Sequence, residues 1–228
     1  MDFFVYKQYE HVKVDPDGRK VLSVNINPEK ACIFNCKICN AGQTKYQGEW
    51  HDFGDPSESL KGLAKRIEEE KPDIVEVTGG KGDPLTNPIL QGILDCAHGH
   101  GVAARLITNC YLLGIDGHVE LATQFEEVVA GFCFTDEATF NEIHRPVPEL
   151  EFSAAKQTES MIRFSHQYNG KFTLRALLVK GYNDSDEQVA ELKKVIDQIK
   201  YTTLWVGTWP KYQVSEERVE EISKILHA

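Results

Sequence analysis

Three of the six cysteines fall on one short stretch, spaced Cys32-x3-Cys36-x2-Cys39. Thiolates are soft ligands, and three of them so close together suit a metal centre. A closed zinc site takes four protein ligands. An iron–sulfur cubane that only passes electrons is also held by four cysteines. Three leave one iron open to a substrate or cofactor, which is an arrangement for catalysis. Two other readings share this spacing: a zinc knot completed by Cys96, Cys110 or a histidine, and three unrelated thiols.

A second stretch with chemical potential is Thr78-Gly79-Gly80-Lys81-Gly82-Asp83-Pro84. Glycines let the main chain approach a ligand closely, and carbonyls together with Asp83 can accept hydrogen bonds from an ammonium group. An ordinary strand-to-helix turn has the same composition. The stretch is not a phosphate loop, because it lacks the G-x4-G-K-[ST] spacing. Arg175 lies inside the apolar run Phe172–Val179. A charge there must be paired or face a cavity. In a barrel it points inward, towards a substrate or cofactor carboxylate; otherwise it pairs with an acid such as Glu76.

These residues need elements to position them. Apolar alternating runs predict strands over 21–27, 73–78, 102–108, 127–134, 172–179 and 202–206. Helical spacing and caps predict helices over about 58–70 (capped by Ser57), 87–98, 116–124, 136–144, 152–168, 185–200 and 215–227. Residues 1–20 read as a β-hairpin lead-in turning at Asp15-Pro16-Asp17-Gly18, and 41–56 as a polar loop. Alternating β and α units imply a parallel sheet with helices outside it, either doubly wound or an incomplete barrel. The expected fold class is α/β, a single domain over 1–228. Ligands bind such folds at the carboxyl ends of the strands. The cysteine loop, the glycine loop and Asn109 all fall at such ends.

The chain has 228 residues, 41% hydrophobic and 26% charged, which is ordinary for a soluble globular domain. The start lacks a signal-peptide core, and no apolar run reaches the roughly 20 residues that span a bilayer. Three clustered and three scattered cysteines suit a reducing, cytoplasmic setting. A net charge of −10 disfavours membranes and bulk nucleic acid as partners.

The pattern Cys32-x3-Cys36-x2-Cys39, with apolar Ile38 before the last cysteine, resembles the signature of radical S-adenosylmethionine (SAM) enzymes. The resemblance implies that Cys32, Cys36 and Cys39 ligate a [4Fe-4S] cluster whose fourth iron is chelated by SAM, with Ile38 packing near the adenine. Thr78–Pro84 is similar to that family's "GGE" loop, which puts Gly79, Gly80, Lys81 and Asp83 beside SAM. Leu106-Ile107-Thr108-Asn109, Asp136–Phe140 with Ile143-His144-Arg145-Pro146, and Leu178–Asp184 resemble stretches of small wyosine-base-formation-like iron–sulfur oxidoreductases. The last is also similar in activases of glycyl-radical enzymes. By this resemblance Asn109 and the turn bearing Lys180, Tyr182 and Asn183 fix the ribose and adenine, and of the two open folds the incomplete (β/α)6 TIM-like barrel is the one implied.

Three departures accompany it. Cys110 stands where a glycine is usual, Val129–Cys133 lacks the usual Lys-x-Ser-x-Asp pattern, and no C-terminal cysteine cluster is present. Cys133 and Arg175 are the candidate catalytic residues. Cys96 is expected to be a buried hydrophobe, Cys110 and Cys133 are candidates to line the site, and His51 and His144 are expected to be surface or structural residues. Trp205 and Trp209 either wall the site or simply pack.

The implied activity is reductive SAM cleavage followed by hydrogen abstraction from a nucleoside, RNA base or small molecule, with flavodoxin or ferredoxin as reductant. The alternatives are an activase that forms a glycyl radical on a partner enzyme, and a non-catalytic zinc or iron–sulfur protein.

Overall fold

The computed structural model describes residues 12–228. Strand β1 (Lys13–Val14) runs antiparallel to β2 (Lys20–Asn25). Between them Gly18, at φ 85, closes the expected turn by donating its N–H to the Asp15 carbonyl at 2.8 Å. The first eleven residues of the expected lead-in lie outside the described residues.

Five more strands join β2 in parallel: β5 (Ile74–Thr78), β6 (Ala103–Thr108), β7 (Glu127–Phe132), β8 (Lys171–Leu178) and β9 (Thr203–Thr208). The order across the sheet is β1-β2-β5-β6-β7-β8-β9, which is chain order throughout. A doubly wound sheet needs a point where the order reverses. Among the described residues none exists, so the sheet curls one way into the expected incomplete barrel. Its two edges, β1 and β9, stay apart.

Helices cover the outside: α1 (Ser57–Glu70), α2 (Leu90–Gly99), α3 (Asp116–Ala122), α4 (Glu137–His144), α5 (Ala154–Gln167), α6 (Asp186–Ile196) and α7 (Glu216–His227). Strand β8 alternates accordingly, while β2 and β5 are buried along nearly their whole length. In β8, Phe172, Leu174, Ala176 and Leu178 are buried under helices, while Thr173, Arg175 and Leu177 face the half-open interior and are only half-buried. None of these helices is long and apolar enough to cross a membrane.

Two local expectations are corrected. Ser57 does not cap α1 but is its first residue; Asp55 accepts from the Ser57 N–H at 2.9 Å and from its hydroxyl at 2.5 Å. The polar stretch 41–56 is not all loop. It contains β4 (Tyr46–Gln47), which pairs in parallel with β3 (Ala31–Cys32).

An ion-pair network fills the amino-terminal end of the interior. Ser23, Glu76, Arg105 and Glu127 sit side by side across β2, β5, β6 and β7. Arg105 donates from Nη1 to Glu76 at 3.0 Å, from Nε to Glu127 at 2.6 Å, and from Nη2 to Asp15 of the hairpin. Lys13 pairs with Glu76 at 2.5 Å and Arg19 with Glu127 at 2.6 Å. The hairpin thus plugs the barrel floor, and Glu76, the acid considered for Arg175, is taken up here.

Candidate active site

The cysteine loop is framed on three sides. β3 pairs with β4 on one edge, and Ala31 forms a parallel bridge with Gly82 on the other. The Ala31 N–H donates to the Lys81 carbonyl at 2.9 Å. Beyond β3 the loop is laced to the end of α4: Val147 N donates to Ile33 at 3.0 Å, Asn35 N to His144 at 3.1 Å and Lys37 N to Ile143 at 2.8 Å. The stretches 78–84 and 136–146, read separately from sequence, are therefore the two jaws that hold the cysteine loop.

Three glycines of the first jaw leave no room for a Cβ; one on Gly79 would stand 1.8 Å from the Gly82 carbonyl oxygen. A Cβ on Gly80 (φ 49) would stand 2.0 Å from the Asn25 amide nitrogen, and one on Gly82 (φ 148) 1.6 Å from the Ala31 carbonyl oxygen. Asp83 finishes this loop. Its carboxylate is buried and accepts from Leu85 N at 3.0 Å, the Thr108 hydroxyl at 2.8 Å and Asn109 N at 2.6 Å. Burial pushes the Asp83 carboxyl up from its ordinary value, and the hydrogen bonds from Asn109, Thr108 and Leu85 oppose that rise. Asp83 ties the end of β5 to the end of β6.

These elements enclose a cavity of about 310 Å³ at the carboxyl ends of the strands. Cys32, Cys36, Ile38, Cys39, Gly79, Gly80, Asp83, Asn109, Cys133 and Arg175 all line it. The structure brings ten of the sequence-predicted site residues together there. A larger open groove of about 660 Å³ lies outside the barrel between α5 and α6 and contains none of them.

Lys81, Lys180, Tyr182 and Asn183 do not line the cavity. Lys81 turns its ammonium to the Pro28 carbonyl at 2.8 Å. Lys180 is exposed, and its N–H donates to Tyr212 at 2.9 Å. The Tyr182 hydroxyl accepts from Lys37 at 3.1 Å. Asn183 is buried and donates to the Cys133 and Leu177 carbonyls at 2.7 and 2.8 Å, while accepting from Val179 N at 2.6 Å. It locks the ends of β7 and β8 together.

The charges follow from burial. Burial pushes the Cys32 thiol up to about 11, with the nearby Asp83 charge adding to the rise. It lifts Cys36 well above its ordinary value and Cys133 to about 12. Lys30 is buried at the cavity edge and donates to the Cys39 sulfur at 2.9 Å. Burial alone would favour its neutral form, yet the surrounding cysteine sulfurs hold its ammonium above the ordinary lysine value. Arg175 faces the cavity with its guanidinium 5.2 Å from the centre of the Trp205 ring, and no carboxylate among the described residues pairs with it.

Among the described residues no three His, Cys, Asp or Glu side chains already converge on a metal position. The donor set nevertheless fits an iron–sulfur cluster: three thiols of one framed loop face one cavity, and a buried ammonium offsets thiolate charge.

Lys30 and His144 line the cavity although the sequence reading did not place them there. His144 is not at the surface; it is buried against the site, with Nδ1 3.2 Å from the Cys36 sulfur. Trp209 lines the cavity with its indole N–H unpartnered. No local pattern marks His144, whereas Trp209 takes one of the two places expected for it, the wall of the site, and Trp205 does not line the cavity. Cys110 lies outside the cavity and bonds to Gly131 and Gln157 at 3.2 Å. Its φ of 69 explains why glycine suits this position. Cys96, expected buried, is half-buried on α2.

No protein-family model matches the chain. It is 24% identical over 216 residues to a UPF0026 protein of Methanocaldococcus jannaschii, covering 91% of this chain and 66% of that one. The chain spans about two thirds or less of the length of the curated relatives it matches. Among solved structures it is similar to TYW1 with a lysine-pyruvate adduct bound, at TM-score 0.65 and 14% identity, covering 92% of this chain and 74% of that one. It is also similar to a radical SAM methyltransferase from Sphaerobacter thermophilus, at TM-score 0.65 and 16% identity, covering 93% of this chain and 64% of that one. At these identities the likeness is one of fold. The chain has the incomplete barrel of radical SAM enzymes, as its motifs predict.

Proposed function

We propose that this chain is a radical SAM enzyme. Cys32, Cys36 and Cys39 hold a [4Fe-4S] cluster, and Gly79, Gly80 and Asn109 bind SAM in the same cavity. The observation that carries this reading is the meeting of the framed cysteine loop, the glycine loop and the end of β6 around one cavity. When bound and reduced by a one-electron donor such as flavodoxin or ferredoxin, the cluster supplies the electron that splits SAM into methionine and a 5′-deoxyadenosyl radical, which takes a hydrogen atom from the substrate.

The residues here bind and orient. Lys30 offsets thiolate charge at Cys39. Asp83 acts from beneath, positioning Asn109 through its backbone N–H. Arg175, with no acid to pair it, is left for an anionic group on the substrate, and Cys133 sits on the wall between it and the cluster loop. Arg175 lies on β8, four strands across the sheet from β2, which leads into the cysteine loop.

The substrate class is a nucleoside, RNA base or small molecule. Formation of a glycyl radical on a partner enzyme is the second reading, favoured by the gap between edges β1 and β9 and by Trp205, 45% exposed on the β9 side. The six free thiols fit a reducing cytoplasm.

The test is anaerobic reconstitution with iron and sulfide, then dithionite and SAM, with 5′-deoxyadenosine as readout. The wild type should form it and Cys36→Ala should not. A fully loaded cluster that cleaves no SAM, and whose reduced EPR signal ignores SAM, would leave a metal-binding protein without this chemistry.

A further inference from the structure

We infer that His144 is a positioning residue for the cluster, donating its Nδ1–H to the Cys36 sulfur and raising the potential at which the cluster accepts its electron. This rests on the function proposed above.

His144 and Cys36 are 108 residues apart in sequence, yet Nδ1 and Sγ lie 3.2 Å apart. The pairing is held rigidly. The carbonyls of Ile143 and His144 accept from the N–H groups of Lys37 and Asn35, the residues flanking Cys36. Around the imidazole stand Phe34, Tyr111, Phe134 and Phe140, with ring centres 5.1 to 5.2 Å away. The ring has no room to turn away. Nε2 is buried without a hydrogen-bond partner, so the Cys36 sulfur is the one polar group the imidazole meets among the described residues.

The direction of the bond follows from donor chemistry. A thiolate bound to iron has no proton and can only accept. A neutral imidazole carries one N–H, so the bond to a cluster thiolate requires that proton on Nδ1. Hydrogen bonds to cluster sulfurs are a recognised lever on potential. Reduction adds negative charge that spreads onto those sulfurs, and a donor to a more charged acceptor bonds more strongly. The bond therefore favours the reduced state.

The test is an EPR-monitored redox titration of the reconstituted full chain, comparing wild type with His144→Phe and His144→Asn. Phenylalanine suits the aromatic cage but has no donor. Asparagine places an amide N–H about as far from its Cβ as Nδ1 is in histidine. At the wild-type midpoint, the ratio of reduced to oxidised cluster in His144→Phe should be about tenfold lower, a shift of about 59 mV for a one-electron couple, at unchanged iron and sulfide content. His144→Asn should recover most of that loss.

A His144→Phe midpoint equal to wild type overturns the inference and leaves the proposed function standing. If His144→Phe takes up no cluster, wild type labelled with 15N-histidine decides: pulsed EPR of the reduced cluster should show a 15N coupling, and its absence overturns the inference. A wild-type chain that assembles no SAM-responsive cluster brings down both.

Discussion

Arg105 offers the largest structural prediction that needs no cofactor. Its side chain is 8% exposed and meets three carboxylates that are 4 to 14% exposed. Removing one partner of a buried ion pair costs about 3–5 kcal/mol, because the others keep their charge without compensation. Arg105→Met keeps an unbranched apolar stem and deletes the charge. Glu76 retains Lys13 and the Ser23 hydroxyl, and Glu127 retains Arg19 and Lys171. That residual pairing places the cost at the lower end, about 3 kcal/mol. For a domain of this size the melting temperature should fall by about 6–12 °C.

The effect should depend on pH with a definite sign. In the folded chain Asp15, Glu76 and Glu127 are each held below the ordinary carboxylate value: Arg105 is the main cause at Asp15, and cationic partners overcome burial at the other two. Their stabilisation is complete above the unfolded values near pH 4 and is lost as pH falls through the lower folded values. Without Arg105 the carboxylates bind protons more readily, so the gap between wild type and variant should narrow in acid. Urea unfolding at pH 7 and at about pH 3, below the unfolded carboxylate values, measures both. A cost below about 1 kcal/mol at pH 7, or an equal gap at both pH values, refutes the account of the barrel floor as a working ion-pair network.

Two further predictions concern backbone geometry. Gly82→Ala puts a Cβ 1.6 Å from the Ala31 carbonyl oxygen, so the glycine and cysteine loops must separate; iron retained after reconstitution should drop to a small fraction of wild type, and unchanged loading would contradict the framing described above. Cys110 occupies a left-handed conformation that costs a non-glycine residue about 1–2 kcal/mol. Cys110→Gly should therefore be more stable than Cys110→Ala in urea unfolding, although alanine keeps more apolar surface; the opposite order would refute the strain at this position.

Two placements that the sequence left open share a cause. The His144–Cys36 contact joins the end of α4 to the cysteine loop, and Trp209 reaches the cavity from just past β9. Neither contact has a periodicity, because both depend on how far the sheet curls. The same curl carries Lys180 and Tyr182 past the cavity mouth, although their turn has the local pattern of a cofactor-binding segment. It also turns Asn183 into a clamp on β7 and β8.

Local chemistry was legible along the chain. Six alternating apolar runs, each followed by helical spacing, identify the units, because period-2 and period-3.6 burial are written residue by residue. The cysteine spacing identifies the soft-ligand loop for the same reason, since three thiols within one turn of loop need no distant partner to be recognised. Only the tertiary structure decided that the strands follow chain order into an open barrel, that Arg105 gathers Asp15, Glu76 and Glu127 at its floor, and that Arg175 is left facing the cavity without an acid. An apolar strand fits either side of many neighbours, and a buried charge fits any acid within reach. Which neighbour it meets is settled by the packing of the whole sheet.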